Sequence, residues 1–159
     1  MPATTLSDLQ QFILALAHFH RTYWFRDEGT HPHCYAYEVL AVRWGFPTQD
    51  GWPLQVWERR TPERPLLAKA RYGARYQAAR VAVSKAFCRL EQRRLVRRGS
   101  YRDATGQSAL GLVLTPAGIP LARQALSTRF KWHEAYEALW AQGKIATPRE
   151  RAALRCQGL

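Results

Sequence analysis

The sequence predicts a mainly α-helical protein that carries one small β-hairpin. Apolar residues recur every three or four positions over residues 76–90, which is the spacing of one buried helical face. Residues 95–98 then have strand character, and alternate leucines over residues 110–114 indicate a half-buried strand. Because residues 99–106 between them are rich in turn formers, we expect the two strands to form a hairpin.

The first element is a helix predicted over residues 6–26, with Ser7 as its cap. Its apolar side chains cover more than one stripe. They are Leu6, Leu9, Phe12, Ile13, Leu16, Phe19 and Tyr23, and His20 lies on the same side as Leu16. A helix with so broad an apolar surface either lies beneath other helices or meets a partner chain.

A second helix is predicted from Cys34 to Gly45, where Gly-Phe-Pro forms a stop. Residues 47–65 contain four prolines and two tryptophans and predict a loop or a short strand. Two alternatives follow. Either residues 66–72 form a short helix that Gly73 separates from the next one, or the next helix begins near residue 74 and has the second helix as its partner.

The helix over residues 76–92 has a distinctive outward face. Successive residues of a helix point about 100° apart. On this basis the inward residues are Ala79, Val83, Phe87 and Leu90, and the outward residues are Gln77, Val81, Lys85, Cys88 and Gln92. Arg80 and Ser84 lie on one flank and Arg89 on the other. Short side chains at the start of this face let the helix backbone approach a groove closely.

The C-terminal part is predicted to be helical again. Thr115 can cap the next helix. Pro116 suits the first position of that helix, because an N–H there would have no partner within the helix and proline has none. The spacing of the apolar residues from position 121 onward predicts one or two helices, with a bend near residues 127–128 and an end at Gly143. A last short helix is predicted to open with a capping box over residues 147–150.

A helix followed by a β-hairpin with a polar, basic tip is the arrangement of a winged helix. The run VSKAFCRLEQRRLV at residues 83–96, followed by LTPAG at residues 114–118, resembles the signature of MarR- and PadR-like winged helix-turn-helix regulators. Arg94 stands where that family has a glycine at the end of the recognition helix, and Pro120 closely follows the Thr-Pro start. The resemblance implies binding to duplex DNA as a dimer, with control of transcription, and it implies terminal helices that build the dimer.

The charge distribution agrees with a nucleic-acid surface. The chain has a formal net charge of +12. Residues 71–102 contain ten Lys or Arg residues against one acid, Glu91, which gives +9 for this segment alone. Clustered cations capture phosphates by releasing counterions. The alternative interpretation is a solvated helix face.

Eleven residues are candidates for contacts with DNA. Those of the predicted recognition helix are Gln77, Arg80, Val81, Ser84, Lys85 and Arg89, and those of the predicted wing are Arg98, Ser100, Tyr101, Arg102 and Gln107. Arg and Lys suit guanine edges, Gln suits adenine, and Val can touch a thymine methyl group. Arg89, late in the helix, is expected to meet phosphate, and the wing is expected to follow the backbone or enter the minor groove.

Four of the five histidines lie between positions 18 and 33, next to Cys34. Histidine and cysteine together suit zinc. However, His18 and His20 point about 200° apart on a helix, and the segment around His33 supplies two ligands at most. We therefore predict histidines that pack or face solvent, and neither a metal nor a cofactor.

Composition favours a cytoplasmic protein. Three widely spaced cysteines, Cys34, Cys88 and Cys156, suggest reduced thiols. The apolar segment near the N-terminus lacks a basic start and a cleavage site, so we do not expect a secretory signal. The sequence has no run of apolar residues long enough for a membrane span, nor a catalytic constellation or phosphate loop that would predict an enzyme.

These observations combine into one prediction. Residues 1–30 form a packing or dimerisation helix, residues 31–119 form a winged-helix domain with a long loop at 47–65, and residues 120–159 form C-terminal helices. The predicted function is a homodimeric, sequence-specific transcriptional regulator, a repressor that occupies its operator on double-stranded DNA. The alternative is a winged-helix adaptor within a larger nucleoprotein or protein complex.

Overall fold

The computed structural model describes residues 5–23, 31–46, 65–102, 106 and 108–143. Within this part the chain is mainly helical, with five α-helices, one π-helical segment and a small three-stranded antiparallel sheet. The elements are α1 (Asp8–Tyr23), β1 (Cys34–Tyr35), α2 (Ala36–Trp44), α3 (Pro65–Gln92), β2 (Val96–Arg102), β3 (Ser108–Leu114), α4 (Gly118–Ala125), the π segment (Leu126–Phe130) and α5 (Trp132–Ala141).

Helix α1 is the centre of the hydrophobic core. Every residue from Phe12 to His20 is buried, and the helix packs against α4, the π segment, α3 and β3. Ser7 caps it, because its hydroxyl accepts the Gln10 N–H at 3.2 Å while the Gln10 side chain accepts the Ser7 N–H at 2.9 Å. Of the two alternatives for the broad apolar surface, the structure therefore has the helix beneath other elements of the same chain.

The second helix begins later than predicted. Cys34 and Tyr35 are not helical but pair with Leu112 and Gly111 of β3. The prediction missed this strand because two residues carry no visible alternation, and the pairing is with a segment far along the chain. Helix α2 starts after Tyr35, whose N–H donates to the Glu38 carboxylate at 3.0 Å. Its predicted end at Gly45 is confirmed, with φ at 71° in the left-handed region.

Helix α3 is interrupted at Gly73, where φ is 59° and ψ is −134°. Only glycine adopts this backbone conformation without strain. The residues before the interruption are helical from Pro65, so the first of the two alternatives for residues 66–72 agrees with the structure. The predicted loop before Pro65 lies outside the described residues.

Helix α3 ends in a Schellman motif. The Leu95 N–H donates to the Leu90 carbonyl at 3.1 Å, and the Arg94 N–H donates to the Glu91 carbonyl at 2.9 Å. Arg94 has φ at 59°, the left-handed conformation for which glycine is the usual residue. The side chains of Leu90 and Leu95 are both buried in the core cluster, and the motif usually has apolar residues at these two positions.

The sheet has the strand order β1-β3-β2. Strand β2 runs on through Arg102, so the predicted turn over residues 99–106 begins too early. The Tyr101 ring lies against Gly99 and Gly111 and covers the two positions that lack side chains. The predicted alternation of β3 fails in its second half, where residues 111–114 are all buried. Pro32, just before β1, lies against the Gly111 position.

The hydrogen bond expected of a Thr115 cap is present, but helix α4 begins at Gly118, so Pro116 does not take the first helical position. The Gly118 N–H donates to the Thr115 hydroxyl at 3.2 Å, and that hydroxyl donates to the Arg94 carbonyl at 2.7 Å. A side chain at Gly118 would overlap the Leu95 carbonyl. The threonine and the glycine of the Leu-Thr-x-x-Gly sequence thus join the start of α4 to the end of α3.

The predicted bend at residues 127–128 falls within the π segment, which ends at Lys131 with φ at 55°. Pro120 lies in the first turn of α4, where a missing N–H leaves the helix intact through Ala125. The predicted capping box at residues 147–150 lies outside the described residues. Among the helices that the structure describes, none is long and apolar enough to cross a membrane.

Candidate nucleic-acid interface

The outward face of α3 is solvent-exposed, as the periodicity predicts. The predicted inward residues Ala79, Val83, Phe87 and Leu90 are all buried. The six candidates on this helix are all exposed: Gln77, Arg80, Val81, Ser84, Lys85 and Arg89. Val81, with 41% of its surface exposed, is one of two large hydrophobic residues that the described part leaves exposed. The other is Leu110 on the hairpin, at 36%.

One flank of this face meets the hairpin through an ion pair. Glu91 accepts the Arg98 backbone N–H at 2.8 Å and the Arg98 Nε at 3.0 Å. The backbone N–H of Arg98, and then its side chain, lower the pKa of Glu91 and keep it charged. The Nε of the guanidinium predicted to contact DNA therefore pairs within the protein and links β2 to the end of α3, while Arg98 stays exposed.

The other flank borders a groove between α3 and the first turn of α1. The groove has a volume of about 360 Å³. Its lining is Ser7, Leu9 and Gln10 from α1 and Ala78, Val81, Ala82, Lys85, Ala86 and Arg89 from α3. Sequence reasoning missed the α1 residues, because no local pattern connects a helix start with a helix some 70 positions later.

The hairpin candidates divide between two faces of the sheet. The pairing register puts Arg98, Ser100 and Arg102 on one face, with Tyr101 on the other. The face with Arg98 is the one toward α3, because its side chain reaches Glu91. The Ser100 hydroxyl contacts the Ser108 hydroxyl, and half-buried Tyr101 packs within the hairpin as described above. Gln107 lies outside the described residues.

Most of the predicted charge cluster is accessible. Of the ten basic residues between Arg71 and Arg102, nine are exposed and Arg93 is half-buried. Arg75 has a packing role, because it donates to the Trp44 carbonyl at 2.9 Å and lies 5.0 Å from the centre of the Phe46 ring. The remaining cations extend along α3, its C-terminal end and β2, which makes this side of the molecule strongly positive.

The histidines lie mostly in the core. His18, His20 and His33 are buried. His20 Nδ1 lies 3.5 Å from a Glu38 carboxylate oxygen, and His33 Nδ1 accepts the Leu114 N–H at 2.9 Å. Burial, and then the positive charges of Arg21 and Arg123, lower the pKa of His18 to about 4. In the part of the chain that the structure describes, no three His, Cys, Asp or Glu side chains are grouped to hold a metal ion.

The cysteines on the described elements differ in access. Cys34 is buried in β1. Cys88 is half-buried on the outward side of α3, where Gln92 Nε2 approaches its sulfur at 3.7 Å.

Comparison with known proteins adds no relative. No protein-family model matches the chain, and neither the curated proteins nor the solved structures that were searched give a significant match.

Proposed function

We propose that this protein binds double-stranded DNA as a winged helix-turn-helix transcriptional regulator. The observation that carries the proposal is the outward face of α3, where exposed polar and cationic side chains follow one another between the hairpin and the start of α1. An α-helix fits the major groove of B-form DNA. Short side chains such as that of Ser84 on this face and Ala78 beside it allow a close approach.

The element order supports the winged-helix arrangement. A helix, a short strand and two further helical elements precede a hairpin, and the first strand joins the hairpin at the edge of β3. In this proposal α3 is the recognition helix and the β2–β3 hairpin is the wing. Gln77, Arg80, Val81 and Ser84 face base edges, while Ser100 and Arg102 approach the DNA backbone.

We also propose that the regulator acts as a homodimer on a two-fold symmetric operator, as a repressor that occupies the site. The apolar side of α1 is buried within one chain, so the dimer contact belongs to other surfaces. Sedimentation of the purified protein over a range of concentrations tests this part of the proposal independently of DNA.

The test of DNA binding is fluorescence anisotropy with labelled random duplex over a salt series. The wild type is compared with Lys85→Ala/Arg89→Ala, and Arg123→Ala/Lys131→Ala serves as a control that removes two exposed cations from outside α3 and the hairpin. We expect the logarithm of affinity to fall linearly with the logarithm of salt concentration. The α3 variant should bind more weakly, with a slope shallower by about 0.9 for each lost phosphate contact, and the control should match the wild type.

Failure of the wild type to bind duplex at low salt would overturn the proposal. The adaptor alternative then predicts that a protein partner is retained by Lys85→Ala/Arg89→Ala, because an adaptor does not need these cations for its protein contact.

A further inference from the structure

We propose that the groove between the first turn of α1 and α3 holds the sugar-phosphate backbone of one DNA strand. This inference rests on the proposed function and assigns a second role to part of its surface. Lys85 and Arg89 contact phosphate there, and Ser7 at the start of α1 becomes part of the DNA interface.

The chemistry of the groove lining fits a deoxyribose-phosphate unit. Among its lining residues, two are cations and none is acidic. Small apolar side chains make up much of the lining, because α3 contributes Ala78, Ala82 and Ala86 and α1 contributes Leu9. A deoxyribose ring can lie against such a lining while its phosphate meets Lys85 or Arg89 at the rim.

The hydroxyl of Ser7 adds a neutral donor on the opposite wall. Its oxygen accepts the Gln10 N–H at 3.2 Å, and its proton can still be donated to a phosphate oxygen. The neighbouring carboxylate of Asp8 does not line the groove. It pairs instead with Arg129 Nη2 at 2.8 Å, so this carboxylate has a cationic partner outside the groove.

The groove lies along one flank of the outward face of α3, so the two flanks of this face have different roles in the proposal. Arg80 and Ser84 lie on the flank toward the hairpin, where Glu91 meets Arg98, whereas Arg89 lies on the flank toward α1. A strand in the groove would therefore fix the docking angle of α3 through sequence-independent contacts. Base discrimination is left to Gln77, Arg80, Val81 and Ser84.

The decisive pair of variants is Ser7→Asp and Ser7→Asn. Aspartate and asparagine both cap helices as well as serine does, so both variants should keep α1 and differ at the groove only in charge. Ala138→Asp is the control for an added negative charge, because Ala138 is an exposed residue of α5. Circular dichroism melting confirms that all three fold.

We expect Ser7→Asp to weaken anisotropy-measured binding by about fivefold, the effect of two like charges about 4 Å apart in water. The loss should be the same on A·T-rich and G·C-rich duplexes, since a backbone contact carries no sequence information. Ser7→Asn and Ala138→Asp should bind within twofold of the wild type.

A steric variant tests the same groove without a change in charge. Ala78→Leu fills the groove from α3, and Ala138→Leu makes the matched change on α5. We expect weaker binding only from the α3 variant.

The outcomes separate this inference from the proposed function. If the wild type binds duplex and Lys85→Ala/Arg89→Ala weakens it, but Ser7→Asp and Ala78→Leu bind like the wild type, the groove assignment is wrong and the function stands. A loss by Ser7→Asp on only one duplex composition also overturns a backbone contact. If the wild type binds no duplex, both proposals fail.

Discussion

Arg94 shows how an arginine can take a backbone conformation that is usually left to glycine. The resemblance predicts glycine at this position, and the structure has the arginine in the left-handed conformation, with φ at 59°. Such a conformation costs a side-chain-bearing residue roughly 1 kcal/mol relative to glycine. The strain is held in place by the two hydrogen bonds of the Schellman motif and by the contact of the Arg94 carbonyl with Thr115.

Arg94→Gly is therefore expected to stabilise the protein by about 1 kcal/mol, measured as the free energy of unfolding in urea. Arg94→Ala is the matched control, because it removes the same charge and keeps the backbone strain. If both variants gain equally, charge repulsion rather than the backbone explains the effect. A loss of stability in Arg94→Gly would contradict the assignment.

His18 is a second residue whose environment can be tested alone. Its pKa is about 4 in the folded protein, below the value near 6.5 expected for the unfolded chain. Between these values the unfolded chain binds a proton that the folded chain does not. The free energy of unfolding should therefore fall as pH falls from 6.5 to 4, by at most about 1.4 kcal/mol per pH unit.

The measurement is urea denaturation at several pH values for the wild type and for His18→Leu. The variant cannot titrate at this position, so its stability should change less steeply across the window. His20 and His33 are the same in both proteins, so the difference between the two curves reports on His18. Equal slopes in the two proteins would show that His18 titrates alike in the folded and unfolded states.

At the scale of elements, the link between α3 and the β2–β3 hairpin depends on Glu91 and Arg98. The pair is partly exposed, with side-chain exposures of 38% and 33%, so its net contribution to stability is expected to be roughly 0.2–1 kcal/mol. Glu91 also accepts the backbone N–H of Arg98 in β2, so removal of Glu91 would remove a hydrogen bond of the strand as well as the ion pair.

Glu91→Ala is expected to loosen the hairpin more than the core. The Arg98 amide loses its acceptor, so its hydrogen exchange should become faster, while the amides of Phe87 and Leu90 in α3 should keep their protection. Gln92→Ala on the neighbouring exposed position is the matched control. Unchanged exchange at Arg98 would mean that pairing with β3 alone orders this strand.

The elements themselves were largely predictable from local sequence. The inward face of α3 has a helical period, and Gly45 and Thr115 carry the backbone and hydrogen-bonding chemistry of helix ends. The strand at Cys34 was not predictable, because its pairing with β3 is made across a long sequence separation. The full length of β2 was also missed, since Gly99 and Ser100 are typical turn residues in isolation.

At the scale of the whole molecule, the candidate site was predicted only in part. The exposed residues of α3 follow from periodicity and charge, but the groove beside them depends on how the start of α1 packs, and no local pattern encodes that contact. Charge alone also did not reveal that the Arg98 Nε pairs with Glu91, seven positions earlier in the chain. The assignment of Arg98 to DNA stays a prediction.

The position of α1 leads to the last prediction. Its broad apolar surface is compatible with either a core or a dimer contact, and the two differ in how a core substitution behaves. Leu16 has no exposed surface within one chain, so Leu16→Ala should remove about 2–5 kcal/mol of stability by opening a cavity.

If this surface belongs to the core of one chain, the loss in the free energy of unfolding should not depend on protein concentration. If the residue instead stabilised a dimer, the loss would appear as a shift in the subunit dissociation constant, and the size of the loss would depend on protein concentration. Urea denaturation of the wild type and Leu16→Ala at protein concentrations a hundredfold apart distinguishes the two, with Leu139→Ala on α5 as a substitution of the same chemistry at a half-buried position.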